Sequence, residues 1–296
     1  MSKNNLRIPE KSVHHNSLVE EYLYKLDKFI GNNIHKNNET NNRVAVIVEP
    51  RQHNLLGPII KNVMYFLNDY PKLKHQWNLH IFGGTNNKDY IDRILPNWKY
   101  EFTCLGMENI TADDHNILLR QTFFWNQIRE EHILIFQTDS FMFRPLNDDF
   151  LKYNFCGASI LNYMARTPKN IGMNGGFSLR RRSSMLECCK YDVKTVNKYR
   201  KFHDKPEIPN EYYMAEDIYF WHILEYLNKD MLPMTKTIEF SIEAPPLPQE
   251  YSGDIFEIKP TGIHAFNKNM ISLNILKKLI NDSNELLYNK PTMERF

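Results

Sequence analysis

Two polar side chains that could bind a cation or a sugar follow an apolar stretch near the middle of the sequence. Residues 132–136 read HILIF, and Gln137, Thr138 and Asp139 come directly after them. Gln137 and Asp139 alternate, so they lie on one face of a strand end. Carboxylate and amide oxygens suit a hard cation such as Mg²⁺ or Mn²⁺, or the hydroxyl groups of a sugar. Alternatively, Asp139 only caps a turn or the next helix.

A second candidate is the turn Asn174-Gly175-Gly176 in the segment MNGGFSL. Two glycines allow the backbone to approach a bound sugar closely, and Asn174 would add an amide group. A tight turn alone would also explain the glycines. Arg180, Arg181 and Arg182 follow, and three consecutive arginines are more typical of an exposed face or a helix start than of a phosphate-binding site.

Two acids and a late histidine complete the set of candidates. Glu216 and Asp217 begin the segment EDIYFWHILEYLN, which predicts a helix, and acids in the first turn stabilise the helix dipole. A carboxylate at a helix start can also act as a general base, and we expect this role of Asp217 more than of Glu216. His264 in GIHAFN is the last candidate, although a single histidine is more often structural.

Strands that alternate with helices would position these residues. Four strands are predicted by RVAVIVEP, WNLHIFGG, YEFTCLG and HILIFQTDS, and helices by 55–69, NNKDYIDRIL and 113–128. This alternation predicts an α/β fold with a mainly parallel sheet and helices on both faces. Ligands bind beyond the carboxyl ends of such strands, which is where Asp139, Pro50-Arg51 and Gly83-Gly84 fall.

The second half of the chain is predicted to be less regular. NIGMNGGFSLRRRSSMLECC predicts a glycine turn, a strand and a helix, 192–212 an exposed excursion, and EFSIEA a short strand followed by the loop PPLPQEYSGD. Further helices are predicted at 12–30 and about 270–288. We therefore divide the chain into an N-terminal helix and Asn-rich linker (1–42), an α/β domain (43–269), and a C-terminal helix and tail (270–296).

The composition limits the class of protein. With 296 residues and a net charge of +2, the chain gives no support for nucleic-acid binding. No apolar run approaches the ~20 residues of a membrane span, and the first residues lack the apolar segment of a signal peptide. We therefore expect a cytoplasmic protein whose four cysteines are free thiols, with neither a disulfide framework nor a zinc site. The sequence does not indicate an oligomeric state.

The order of these motifs resembles that of GT-A glycosyltransferases, in particular the fringe and β-1,3-galactosyltransferase type. Those enzymes carry an Asp-rich metal motif, a Gly-Gly strand, a Glu-Asp helix start and a late histidine. More closely, VEPRQHN, WNLHIFGGTNN, FFW, LIFQTDS, CGAS, NGGFSLR, ED, FSIE and IHAF resemble a GT-A-like family catalogued mainly as a domain of unknown function. That family occurs in viruses, bacteria and microbial eukaryotes, and a viral source would place the protein in the host cytoplasm. The resemblance covers about residues 43–267.

The resemblance implies a transferase that moves a sugar from a nucleotide donor, such as a UDP-sugar, to a hydroxyl of a glycan or protein acceptor. It further implies Mn²⁺ or Mg²⁺ on Asp139 with His264 as a second ligand. The metal motif of GT-A enzymes is Asp-x-Asp, whereas this chain has Gln137-Thr138-Asp139. One carboxylate is thus replaced by an amide, and weaker or absent metal dependence is an open alternative.

The remaining roles also follow from the resemblance. Glu49 and Arg51 are expected to face the nucleotide, and the Asn174-Gly175-Gly176 turn to face the donor sugar or the acceptor. Asp217 is expected to deprotonate the acceptor hydroxyl, which favours inversion at the anomeric carbon. Glu216 is expected to support the helix start or to bind acceptor hydroxyls.

Two other functions remain open from the sequence. A nucleotidyltransferase that makes nucleotide sugars would usually carry a Gly-rich loop with a basic residue near its first strand, and VEPRQHNLLG does not match such a loop well. A non-catalytic nucleotide- or glycan-binding relative would explain the amide at Gln137.

Overall fold

The structure is a computed structural model that describes residues 10–30, 35–69, 77–162, 169–202, 215–243, 259–266 and 273–288. The predicted loop PPLPQEYSGD lies outside these residues, as do residues 203–212 of the expected excursion at 192–212. So do both chain ends, at 1–9 and 289–296.

The described residues form strands and helices in the following order. The strands are β1 (Arg43–Val48), β2 (Asn78–Gly83), β3 (Glu101–Cys104), β4 (His132–Phe136), β5 (Phe141–Met142), β6 (Phe155–Cys156), β7 (Ser159–Asn162), β8 (Lys169–Met173), β9 (Phe177–Arg181), β10 (Ser241–Glu243) and β11 (Gly262–His264). The α-helices are α1 (Glu10–Ile30), α2 (Leu56–Met64), α3 (Lys88–Ile94), α4 (Ala112–Leu119), α5 (Thr122–Asn126), α6 (Arg182–Cys188), α7 (Val193–Phe202), α8 (Glu216–Tyr226), α9 (Thr237–Phe240) and α10 (Leu273–Tyr288). Within the described parts of the chain, none of these helices has the length and apolar composition that crossing a bilayer requires.

A six-stranded sheet with the order β3-β2-β1-β4-β9-β6 forms the centre of the fold. The first four of these strands are parallel, and β9 runs antiparallel to both of its neighbours. The side chains of β1 and β2 are buried almost throughout, as expected for parallel strands covered on both faces. The predicted α/β fold with a mainly parallel sheet is therefore confirmed.

Several local predictions differ from the structure. The single helix predicted at 113–128 is divided into α4 and α5, and the buried Trp125 indole donates to the Leu119 carbonyl at 2.7 Å across the break. Residues 169–173 form β8, which pairs with β7, although the sequence predicted a glycine turn nearby. Residues 193–202 form α7 within the expected excursion. All four cysteines are free thiols, as predicted.

The terminal helices pack on the rest of the described chain. α1 contacts α2 and α10, and its buried Tyr22 hydroxyl is hydrogen-bonded to the Ser283 hydroxyl of α10 at 2.8 Å. Ser283 in turn donates to the carbonyl of Phe143, which follows β5, at 2.7 Å. These contacts connect both terminal helices to one hydrophobic core. The division of the chain at residues 42 and 269 stays a prediction.

A second, three-stranded sheet with the order β10-β11-β5 lies beside the central one. β10 and β11 are parallel, with Glu243 opposite His264, and β11 is antiparallel to β5, with Ile263 opposite Phe141. Because β5 begins two residues after Asp139, this pairing places Asp139 next to His264. The small sheet thus joins three distant parts of the sequence at one point.

The backbone of β5 depends on the buried side chain of Asn62 in α2. Asn62 donates to the Met142 carbonyl at 3.0 Å and accepts from the Met142 N–H at 2.7 Å. Asn62→Ala should lower the free energy of unfolding by about 2–4 kcal/mol, because two buried backbone groups would lose a partner. Urea denaturation measures this, and the exposed Asn54→Ala should change it by less than about 0.5 kcal/mol. Equal stability of the two variants would contradict the role of Asn62.

Candidate active site

The segment after β1 is held in place by its own side chains and by the next strand connection. The Glu49 carboxylate is buried and accepts from the Arg51 guanidinium at 2.8 and 2.7 Å and from the Arg51 N–H at 3.0 Å. Asn87 donates to the carbonyls of Glu49 and Arg51 at 2.8 and 3.1 Å. A Cβ atom on Gly84 would overlap with the Pro50 carbonyl, so this glycine serves close backbone packing. The Arg51 side chain remains half exposed at this edge.

The polar residues after β4 form a tight turn at the same edge of the sheet. Ser140 donates its N–H to the Gln137 carbonyl at 3.0 Å, and its hydroxyl oxygen accepts from the Gln137 N–H at 2.8 Å. Thr138 donates to the Glu49 carboxylate at 3.4 Å. This turn therefore connects the ends of β1 and β4 and directs the chain through Asp139 into β5.

His264 lies between two carboxylates. Its Nε2 atom is 3.4 Å from Asp139 Oδ1 and 3.1 Å from Gln137 Oε1, and its Nδ1 atom is 3.3 Å from Glu243 Oε1. Burial alone would lower the pKa of His264, but the contacts with Asp139 and Glu243 outweigh burial and raise it to about 9. Without a bound cation the two carboxylates thus favour the protonated imidazole, and a cation at Nε2 would displace that proton.

The Asn174-Gly175-Gly176 turn also lies at this edge, because Phe177 at the start of β9 pairs with Phe136 at the end of β4. Both ends of the Asn174 amide bind within the protein: Oδ1 accepts from the Gly176 N–H and Nδ2 donates to Glu243, each at 2.7 Å. A Cβ atom on Gly176 would overlap with the His264 ring. The turn is therefore shaped around the histidine, and a contact with sugar stays a prediction.

Asp217 lies against this turn from the start of α8. Its Oδ2 atom accepts from the Gly175 N–H at 3.0 Å, and its Oδ1 atom accepts from the Ile218 N–H at 2.8 Å. Burial, with the adjacent charge of Glu216, raises the pKa of Asp217 to about 7, although these two N–H groups and Arg180 oppose the increase. A carboxyl group with this pKa exchanges protons readily near neutral pH.

Glu216 is buried beside the same turn, and a Cβ atom on Gly175 would overlap with its carboxylate. Its carboxylate forms a two-pronged ion pair with Arg180 at 2.5 and 2.8 Å. The Arg180 side chain is fully buried, and its guanidinium lies 4.8 Å from the ring of Phe155 and 5.5 Å from that of Phe220. The expectation of an exposed face is therefore wrong for Arg180, whereas the alternative of a helix start fits the run, because α6 begins at Arg182. This pair fits the helix-supporting role expected of Glu216, and acceptor binding stays a prediction.

The structure brings the predicted site residues into one connected set at the carboxyl edge of the sheet. They are Glu49, Arg51, Gln137, Asp139, Asn174, Gly175, Gly176, Glu216, Asp217 and His264. In the described part of the chain, no three His, Cys, Asp or Glu side chains are grouped so as to hold a metal ion by themselves.

Sequence reasoning missed four residues that contribute to this set. They are Arg180, Glu243, Asn116, which accepts from the Glu216 N–H at 3.1 Å, and His115, which lies within electrostatic range of Glu49 and Glu216. Glu243 ends a predicted strand, and a search for acids at strand ends would have found it. The α4 residues carry no comparable signal, because their position depends on how α4 packs against α8.

The Arg180–Glu216 pair should be essential for stability. Arg180→Met should lower the free energy of unfolding by about 3–5 kcal/mol, because Glu216 would stay buried without a counter-charge. Arg129→Met, which breaks an exposed pair with Glu101, should cost at most about 1 kcal/mol. Urea denaturation measures both, and the double variant Arg180→Met/Glu216→Met should regain stability relative to Arg180→Met. Similar losses for the two single variants would refute the role assigned to the buried pair.

Comparisons with known proteins give similarity to solved structures and to one family model. The chain aligns with the crystal structure of mouse xyloside xylosyltransferase 1 in its apo form, with a TM-score of 0.47, 12% sequence identity, and coverage of 78% of this chain and 99% of that one. No curated protein matches the chain. The model of the family described as "Protein of unknown function (DUF5672)" matches residues 100–264, which is more than half of the 296 residues. The chain therefore belongs to this family.

Proposed function

We propose that the protein is a glycosyltransferase that moves a sugar from a nucleotide-sugar donor, such as a UDP-sugar, to a hydroxyl group of a glycan or protein acceptor, with inversion at the anomeric carbon. The observation that carries this proposal is that Asp139 and His264 lie in one cluster with the separate acid Asp217, at the edge of the sheet where α/β proteins bind ligands. The motif order described above supports the same conclusion.

The residues at Asp139 fit a divalent cation bound together with a diphosphate. Asp139 Oδ1 and His264 Nε2 are 3.4 Å apart, so one ion can contact both atoms, and Gln137 Oε1 lies beside them. Mg²⁺ typically binds one or two protein carboxylates and completes its shell with water and substrate phosphates. We therefore propose that Asp139 and His264 hold Mn²⁺ or Mg²⁺ in the presence of donor. Such an ion would stabilise the negative charge of the leaving diphosphate.

Different residues of the protein would act on the donor and on the acceptor, on two sides of the turn at Gly175 and Gly176. On one side, Arg51 would bind and orient the nucleotide through its exposed guanidinium, which Glu49 holds in place. On the other side, Asp217 would accept the proton of the acceptor hydroxyl. The acceptor oxygen forms a bond to the anomeric carbon as the bond from that carbon to the diphosphate breaks, and the proton ends on Asp217.

One experiment separates this proposal from the two alternatives. The protein is incubated with a panel of nucleotide sugars, and thermal stability and hydrolysis of the donor are followed with and without Mn²⁺. A glycosyltransferase should be stabilised by one donor and should hydrolyse it slowly without acceptor. A nucleotidyltransferase would instead release pyrophosphate from a nucleoside triphosphate and a sugar phosphate. A non-catalytic relative would be stabilised but would turn over neither mixture.

The metal can be tested by binding alone. Mn²⁺ should raise the affinity of the wild-type protein for UDP, but hardly that of Asp139→Ala, because the variant lacks the proposed carboxylate ligand. Isothermal titration calorimetry with Mn²⁺ or with excess chelator measures both affinities. Asp149→Ala removes an exposed acid and should retain the full effect of Mn²⁺. Equal wild-type affinity with Mn²⁺ and with chelator would rule out a metal-assisted site.

The base can be tested by substitution. Asp217→Asn keeps the shape of the side chain and removes its charge, so transfer should fall by ~10²–10⁴-fold while UDP affinity stays close to wild type. Asp192→Asn changes an exposed acid that also accepts from a helix-start N–H, and it should not affect transfer. Steady-state kinetics and melting temperatures are measured for both variants. Near-normal transfer by Asp217→Asn would leave Asp217 as a helix-start residue only.

The pH dependence of kcat/KM gives a second test of Asp217 as the general base. Because the pKa of Asp217 is raised to about 7 and the base must be unprotonated, kcat/KM of the wild type should fall about tenfold per pH unit below that pH. It should level off above it. A profile that is flat between pH 5 and 8 would contradict general-base catalysis by Asp217.

A further inference from the structure

Glu243 occupies a position in the cluster that the roles above do not explain. It is the last residue of β10, directly opposite His264 in the small sheet. One of its oxygens, Oε1, accepts from Asn174 Nδ2 at 2.7 Å and lies 3.3 Å from His264 Nδ1. The other oxygen, Oε2, is buried and has no hydrogen-bond partner among the described residues. The Glu243 side chain is only 14% exposed, and the burial of a carboxylate beside the candidate site needs a reason.

The chemistry of histidine supplies one. A ring nitrogen that binds a cation must offer its lone pair, so the other nitrogen carries the hydrogen and needs an acceptor. His264 Nε2 faces Asp139 and Gln137, which leaves Nδ1 as the nitrogen to be held. Nδ1 is buried and forms no hydrogen bond with a described residue, but Glu243 Oε1 lies 3.3 Å from it and can serve as this acceptor. Backbone pairing of β10 with β11 fixes Glu243 opposite the histidine.

We infer that Glu243 is a positioning residue: it orients the His264 ring so that Nε2 faces the cation and the diphosphate, and it holds Asn174 through the same oxygen atom. This inference rests on the proposed function, because it assigns His264 to the donor site. It adds a residue that acts through His264 and does not itself touch the donor.

The two contacts of Glu243 can be separated chemically. The Asn174 amide needs only a neutral acceptor, which the amide oxygen of a glutamine also provides. The His264 ring needs the charge, because a carboxylate partner makes a metal-binding imidazole a stronger ligand. Glu243→Gln therefore keeps the first contact and weakens the second. If residue 243 served only for packing, glutamate and glutamine would be equivalent there.

The test is the binding of UDP with and without Mn²⁺, measured by titration calorimetry. In Glu243→Gln, Mn²⁺-dependent affinity for UDP should fall by about 10–100-fold, the usual effect of removing such a partner, while affinity in excess chelator changes by less than about twofold. Glu239→Gln is the matched control, because it removes an exposed charge from the preceding α9 helix. It should bind like the wild type in both conditions.

A second pair of variants shows whether Glu243 acts through His264. In a His264→Ala background, Glu243→Gln should cause no further loss of Mn²⁺-dependent binding, whereas an independent structural role would add its own loss. If Glu243→Gln does not fold, Glu243→Asp keeps the charge on a shorter side chain and should retain more Mn²⁺-dependent affinity than His264→Ala. Affinity no better than that of His264→Ala would overturn the inference.

The outcomes also separate this inference from the proposed function. Wild-type binding that responds to Mn²⁺, together with an unchanged response in Glu243→Gln, overturns the inference alone. Wild-type binding that ignores Mn²⁺ overturns the proposed metal-assisted donor site, and the role of Glu243 falls with it.

Discussion

The buried ion pair between Arg180 and Glu216 is the interaction on which the geometry of the candidate site depends. Removing both charges from water is unfavourable, and further hydrogen bonds of Arg180 help to offset this cost. Its Nε atom donates to the Ser178 hydroxyl at 2.9 Å, and Nη2 lies 3.4 Å from the Gly175 carbonyl. One guanidinium thus connects β9, the Gly175 turn and the start of α8. The pair fixes the start of α8, and with it the Asp217 carboxylate that accepts from the Gly175 N–H.

The small sheet is the second feature that fixes the geometry of the candidate site, and it depends on the terminal helices. Strands of two or three residues are not stable alone and need a surface to pack against. Here β5 is held by Asn62 of α2, and the segment after β5 by Ser283 of α10, which also binds Tyr22 of α1. The terminal helices therefore act on the site indirectly, by fixing the strand that follows Asp139.

The sequence predicted the central sheet well and the small sheet poorly, for a physical reason. Apolar runs such as RVAVIV and HILIF are long enough to show a pattern, and their parallel arrangement placed Asp139 and Arg51 at one edge correctly. β5 and β11 contain two and three residues, which is too short for any periodicity. The contact between His264 and Asp139 therefore followed from motif order and not from predicted strands. The burial of Arg180 was missed because a charged side chain in the core is visible only through its partner.

The two acids at the start of α8 belong to the same residue class but lie in different environments. Glu216 lies beside a guanidinium in a cage of aromatic rings, so its charge is neutralised in place and it cannot move without breaking the core. Among the described residues, Asp217 accepts hydrogen bonds from two backbone N–H groups. These and the charge of Arg180 stabilise its charged form less than burial and the charge of Glu216 destabilise it. The balance raises the pKa of Asp217 to about 7, which suits the role of a base that we propose for it. In the proposed mechanism the two functions are thus divided between adjacent residues: Glu216 supports the start of the helix, and Asp217 is left to act as the base.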